Sequence, residues 1–181
     1  AVIIKANGKM FCAGGDLAEF AAAGEAIGTL IREMAGDLHL AISRLARLNA
    51  PVIAAVHGIA HGGGLEITMA CDMAIASSSA RFAFREVDHG LMPGLGITRA
   101  SEKIGLPWTM RLALTGEEVD AKTAQEIGIV MEVVEDDGLV AAAHDLALSI
   151  AGHSRHALEA IKSHLNRDSG RGIDEAVIAT A

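Results

Sequence analysis

The stretch His57-Gly58-Ile59-Ala60-His61-Gly62-Gly63-Gly64-Leu65-Glu66 decides how this chain is read. An apolar run, Val52 to Val56, leads into it with the character of a buried strand, and Leu65 to Cys71 beyond the glycines reads as a helix. Consecutive glycines open backbone conformations closed to other residues and let a ligand approach the main chain closely. The first N–H groups of a helix have no acceptor inside it, and the helix dipole favours negative charge at that end. Strand, glycine turn and helix start therefore make a place that can hold an oxyanion, with the Glu66 carboxylate beside it. The same residues also suit an ordinary strand-to-helix connection with a surface glutamate, and this stretch alone leaves both readings open.

Upstream, Asn49-Ala50-Pro51 closes a helix, because the residue before a proline disfavours the helical region. Its apolar face is Ile27, Leu30, Ile31, Met34, Leu38, Ile42, Leu45 and Leu48, spaced by three and four as a core-packing helix requires. Residues 1–5 read as a buried strand ended by Asn7-Gly8. A second glycine loop, Phe11-Cys12-Ala13-Gly14-Gly15-Asp16-Leu17, runs into a short helical turn at 17–20, and 21–26 form a small, polar connection.

Downstream, Met73 to Ala76 and Arg81 to Phe84 read as strands around the turn Ser77-Ser78-Ser79. Glu86 opens a loop holding Gly90, Pro93, Gly94 and Gly96, followed by helices at 97–104 and 108–114. A helix within Glu117 to Glu126, a strand from Ile129 to Glu135, and helices at 139–151, 155–165 and 173–180 complete the order. Strands alternating with helices imply an α/β core with parallel strands, here over 1–135, and a helical C-terminal region over 136–181.

Composition narrows the function. Fifteen basic and twenty-three acidic residues give a net charge of −8 with no lysine/arginine stripe, which argues against nucleic acid as a partner. Aromatics are 3% with no tyrosine, leaving few platforms on which bases could stack. The apolar runs fall well short of a membrane span. Cys12 and Cys71 without a cysteine framework read as reduced thiols, so a cytoplasmic protein is expected. The chain starts within the apolar run Ala1-Val2-Ile3-Ile4 rather than with a targeting segment, as expected of the interior of a longer protein.

Several residues invite other chemistry. His57, His61 and Cys71 bring zinc to mind, but the histidines lie in a glycine loop and no ligand set has zinc-site spacing, so no metal is expected. Cys12 has no identifiable general base, and a small buried thiol is its expected role. Asp16 and Asp72 suit hydrogen bonding at turns and helix ends.

Two glycine loops that each follow a buried strand, with Glu86 twenty positions after Glu66, resemble the enoyl-CoA hydratase/isomerase (crotonase) superfamily. Phe11 to Leu17 looks like that family's F-x-A-G-x-D-L/I loop. Pro51-Val52-Ile53-Ala54-Ala55-Val56-His57-Gly58 with Gly62-Gly63-Gly64-Leu65-Glu66 is similar to its P-V-I-A-A-V-x-G…G-G-G-x-E segment, and Cys71-Asp72 to the C-D pair that follows. Arg81-Phe82, Glu86 and Pro93-Gly94 resemble its R/K-F…E…P-G block, and Leu114-Thr115-Gly116 with Ala121 to Val134 its next block. Five such matches in order span essentially the whole chain.

The resemblance implies a crotonase-like fold: a spiral of ββα units with parallel strands and a helical C-terminal region used in trimer formation. It implies an acyl-CoA thioester substrate, with coenzyme A arriving as part of the substrate and no separate cofactor, and a homotrimer or dimer of trimers. The N–H groups of Ala13 and Gly63 would form the oxyanion hole. Glu66 matches the glutamate that acts as base toward water, and Glu86 the one that exchanges a proton with the substrate's α-carbon. Around them, Gly15, Asp16 and Leu17 from the first loop, Ile59 and Gly62 from the second, and Val87 and Gly94 would line the acyl-CoA. Hydration of an α,β-unsaturated thioester is the expected reaction. An isomerase working through Glu86 alone is the alternative, and a non-catalytic scaffold or RNA-binding member is a third. Pro93-Gly94-Leu95-Gly96-Ile97-Thr98 departs from the family's P-G-x-G-G-T/S, and Asp88-His89 is more polar than usual, which leaves the acyl group open. The family's first strands and final helix find no counterpart in the chain.

Overall fold

Every residue of Val52–Val56 (β2) is buried because its sheet is covered on both faces, which is why the run is apolar without alternation. Val52, Ala54 and Val56 face the larger core, with Leu65, Met69, Phe82 and Phe84. Ala55 faces Leu139 and Ala143 of a helix on the opposite side. The computed structural model describes residues 1–166, so the helix expected at 173–180 lies outside the described residues.

One sheet runs in the order β1 (Val2–Ile4), β2, β4 (Met73–Ser77), β7 (Glu132–Val134), and all its pairs are parallel. A second contains β3 (Ile59–His61), β5 (Arg81–Ala83) and β6 (Val119–Asp120); β3 and β5 are parallel, and β6 returns antiparallel. Two turns of the chain each give one strand to each sheet and then a helix, and the first turn does so with a single bridge in place of its second strand. After β1, Cys12 bridges to Ala60 and α1 follows (Leu17–Ala22). After β2 and β3 comes α3 (Gly63–Ala70), and after β4 and β5 come α4 (Leu95–Lys103) and α5 (Gly105–Thr115). This is the spiral of ββα units that the family resemblance implies.

The long helix α2 (Ile27–Ala46) packs across α3, burying His39, Ile42, Ser43 and Ala46. Helix α6 (Ala121–Ile127) precedes β7, and α7 (Leu139–Ala151) covers the outer face of the first sheet. The last helix among the described residues, α8, occupies 155–166. It is fastened by Lys162, whose Nζ meets Asp72 Oδ2 at 2.6 Å and donates to the carbonyls of Ala50 at 2.9 Å and Leu45 at 3.2 Å. Asp72 Oδ2 also accepts the Val52 N–H at 2.7 Å, so one carboxylate ties the start of β2 to the C-terminal helix.

Some boundaries differ from the sequence expectation. Ile59–His61 is a strand, not part of a glycine turn, because it pairs with Arg81–Ala83 on one side and Cys12 on the other. Helix α3 begins at Gly63 rather than Leu65. The helix expected within 117–126 is preceded by the short strand β6, after which the Asp120 carboxylate accepts the Thr123 N–H at 2.8 Å and caps α6. The connection at 21–26 is a helix end followed by a 3₁₀ turn, Gly24–Ala26.

Candidate functional site

The two glycine loops meet through main-chain hydrogen bonds. The Cys12 N–H donates to the Ile59 carbonyl at 3.0 Å, and the His61 N–H donates to the Cys12 carbonyl at 2.9 Å, so Cys12 runs as an extra rung beside β3. This lays Gly14 over the second loop, where a Cβ on it would stand 3.3 Å from the His61 carbonyl oxygen and 3.7 Å from the Gly63 nitrogen. Gly62, at φ +52°, turns the chain from β3 into α3 and makes Gly63 the first helical residue. Among the described residues, the N–H groups of Ala13 and Gly63 donate to no main-chain acceptor outside regular helix and strand pairing. Gly63 also sits at the positive end of a helix dipole. Two N–H groups on adjoining loops are thus left over from the pairing that builds the fold.

Two carboxylates join them. Glu66 is the fourth residue of α3 and only 5% exposed; its Oε2 accepts the Gly96 N–H from the first turn of α4 at 2.8 Å. Burial pushes its carboxyl up to about 7, with the Gly96 N–H pulling the other way and the Glu86 charge adding to the rise. Glu86 opens the 3₁₀ turn Glu86–His89. Its Oε1 stands 3.0 Å from the point a Cβ on Gly62 would occupy, and Gly14 Cα is 3.7 Å from that same point. Its Oε2 is buried without a hydrogen-bond partner among the described residues. Burial raises the Glu86 carboxyl too, opposed by its own backbone N–H and by His89. The Glu86 charge thus favours the protonated form of Glu66.

A measurable consequence follows for stability. The folded Glu66 carboxyl titrates above its unfolded value, so its contribution is fully present below pH ~4.5, is lost as pH rises, and has gone above about 7. Glu66→Gln removes that titration and keeps an acceptor for Gly96. Thermal melts should show the variant more stable than wild type at pH 8, by on the order of 2 kcal/mol, with the gap closing by pH 5. A gap independent of pH would mean that Glu66 is not held in a desolvated site.

The other expected positions fall around this centre at different depths. Gly15 packs on the Phe20 ring, its would-be Cβ 2.5 Å from Cζ. Asp16 caps α1 by accepting the N–H groups of Ala18 and Glu19, and Leu17 beside it is 55% exposed. Ile59 sits at the start of β3, and Val87 and Gly94 border the Glu86 turn and the head of α4. Val87 Cγ1 lies against Gly116, 3.0 Å from where a Cβ would be. His57 Nε2 lies 3.1 Å from the Gly8 carbonyl oxygen, and His61 Nε2 stands 2.9 Å from Glu118. No group of His, Cys, Asp and Glu among the described residues is arranged to hold a metal ion.

Two contributors escape a reading of sequence alone. Gly96 carries the N–H that Glu66 binds, and His39 of α2 touches the same helix end, its Nε2 accepting the Leu95 N–H at 3.3 Å. The signal for His39 is a histidine set among Leu38 and Ile42 on the buried stripe of an amphipathic helix.

Taken as a whole, the chain is similar to known proteins. The sequence model of the enoyl-CoA hydratase/isomerase family matches residues 1–179. The chain is 39% identical over 180 residues to a short-chain-enoyl-CoA hydratase of Clostridium acetobutylicum, covering 98% of this chain and 67% of that protein. It is 36% identical over 179 residues to a probable enoyl-CoA hydratase of Mycobacterium leprae, covering 98% of this chain and 68% of the relative. Among solved structures, an enoyl-CoA hydratase/isomerase (crotonase) described from Legionella pneumophila superposes with a TM-score of 0.85 at 33% identity, covering 91% of this chain and 64% of that one. The chain thus spans about two thirds of the length of these proteins.

Proposed function

The chain belongs to the enoyl-CoA hydratase/isomerase family, and from that premise we propose that the full-length protein adds water across the double bond of an α,β-unsaturated acyl-CoA thioester. The observation that carries this is the meeting of two carboxyls, both raised by desolvation, with the two glycine loops. Adding water at the β-carbon builds enolate charge on the thioester oxygen. The N–H groups of Ala13 and Gly63 serve that charge as fixed donors, and losing one such donor typically costs about 3 kcal/mol of transition-state stabilisation. Glu66, with its carboxyl raised to about 7, takes a proton from water, and Glu86 delivers one to the α-carbon. The reaction then balances: hydroxyl to the β-carbon, hydrogen to the α-carbon, and the pair returned to its starting charge.

A second reading has one observation in its favour. Of the two glutamates, Glu86 keeps a buried oxygen without a hydrogen-bond partner among the described residues, while Glu66 is engaged by Gly96. An isomerase that shuttles one proton through Glu86 would suit that asymmetry. A screen of the full-length protein with enoyl-CoAs of different length and double-bond position separates the two. Hydration of 2-enoyl-CoAs is expected, with a hydroxyacyl product; migration of a 3-enoyl double bond without any hydroxyacyl product would carry the isomerase instead.

The proposal extends to a homotrimer or dimer of trimers in the cytoplasm, with no cofactor beyond the coenzyme A of the substrate. Leu106, Met110 and Leu114 are 63%, 49% and 65% exposed in one row along α5, an apolar face of the kind that assembly covers. Among the described residues no helix is long and apolar enough to cross a membrane.

A further inference from the structure

We infer that His39 is a positioning residue for Glu66: its Nε2 holds the first turn of α4 in the place where the Gly96 N–H meets the Glu66 carboxylate. The first N–H groups of α4 have no acceptor inside that helix. Two consecutive ones are divided between different helices: the Leu95 N–H donates to His39 Nε2 on α2 at 3.3 Å, and the Gly96 N–H donates to Glu66 Oε2 on α3 at 2.8 Å. One peptide link therefore separates the histidine's hold from the catalytic carboxylate's.

The contact is tight on every side. The His39 ring lies directly on Gly94, the residue before α4, where any Cβ would overlap Nε2. His39 is 8% exposed and Leu95 fully buried, packed with Ile42, Ala70 and Leu38. Water has little access to replace the acceptor, so removing it leaves the Leu95 N–H buried and unpaired. Accepting through Nε2 requires the proton on Nδ1, and burial holds the imidazole below its ordinary pKa, which keeps the ring neutral. A histidine that merely filled space would not need that nitrogen in that place.

The experiment compares His39→Leu, His39→Met and His39→Gln in the full-length protein, with folding checked by thermal melts. The glutamine side-chain carbonyl can supply an acceptor near the position of Nε2, whereas leucine and methionine fill the space without one. The kinetic part rests on the hydration reading. On a short 2-enoyl-CoA, the leucine and methionine variants should lose about tenfold or more in kcat with KM within twofold, as a misplaced catalytic group does, and glutamine should recover most of it. The second part is independent of turnover: by carboxyl-labelled NMR, Glu66 should titrate higher in the leucine and methionine variants, which loosen the Gly96 donor, and return with glutamine. If wild type hydrates nothing, the hydration reading fails alone and the Glu66 titration still judges His39. Folded leucine and methionine variants with unchanged kcat and unchanged Glu66 titration would overturn the inference, as would a folded glutamine variant no better than leucine in both.

Discussion

Glu86→Gln is expected to lower kcat for hydration of a short 2-enoyl-CoA by about 10³-fold, within the range for loss of a general acid–base group, and to leave the protein folded. Glutamine keeps the shape of the side chain but has no transferable proton, so the step at the α-carbon loses its partner. Folding should survive because the substitution removes a carboxyl that the fold itself disfavours: burial raises it, and Oε2 has no hydrogen-bond partner among the described residues. Such groups are held at a cost in stability where function needs them. Glu66→Gln should lose activity on a similar scale, and the comparison is informative because it still accepts from Gly96. If Glu86→Gln kept kcat within a few-fold of wild type, the proton would have to come from elsewhere.

The second large effect is expected from a residue with no chemistry of its own. Gly64 faces the Cys12 main chain so closely that a Cβ there would run into the Cys12 carbonyl oxygen and stand 2.9 Å from Cys12 Cβ. That oxygen is not free to move, since it accepts the His61 N–H at 2.9 Å. In Gly64→Ala, either the first loop retreats with the Ala13 N–H, or α3 shifts with Gly63 and Glu66. Overpacking of this kind costs about 1–3 kcal/mol of stability. Hydration should fall by about 10²-fold even at temperatures where the variant is folded, as for loss of one oxyanion donor. Gly36→Ala is the control: it lies inside α2 with open space around its would-be Cβ, and should stabilise by up to about 1 kcal/mol without touching kcat. Denaturant melts and initial rates on both variants check the pair. Equal activity losses in the two would mean that close approach at Gly64 is not what holds the donors.

The contrast between those two glycines shows what a sequence can and cannot convey. Val52–Val56 and α7 at Leu139–Ala151 have the bounds expected, because a two-faced apolar run and a helical periodicity are local signals. Ile59–His61 is a strand only through partners more than twenty residues downstream and nearly fifty upstream, and no window around it holds either. Gly63 and Gly64 are poor helix formers that nevertheless open α3, because contact with Cys12 admits nothing larger at Gly64. Glu66 was legible as a candidate from the glycine run, and Glu86 from the resemblance that the run carries. The hold of His39 on α4 was not, since a helix face of leucines and isoleucines announces burial and says nothing of which backbone N–H a histidine among them will meet.

In the proposed reaction, two carboxyls and two loop N–H groups together serve the addition of water to an enoyl thioester. It is tested most directly by incubating the full-length protein with a short 2-enoyl-CoA in heavy-oxygen water and reading the product by mass spectrometry. The expected product is a 3-hydroxyacyl-CoA carrying one heavy oxygen, formed rapidly by wild type and scarcely at all by Glu66→Gln or Glu86→Gln. A product without heavy oxygen whose double bond has merely moved, or undiminished labelling by either variant, would contradict it.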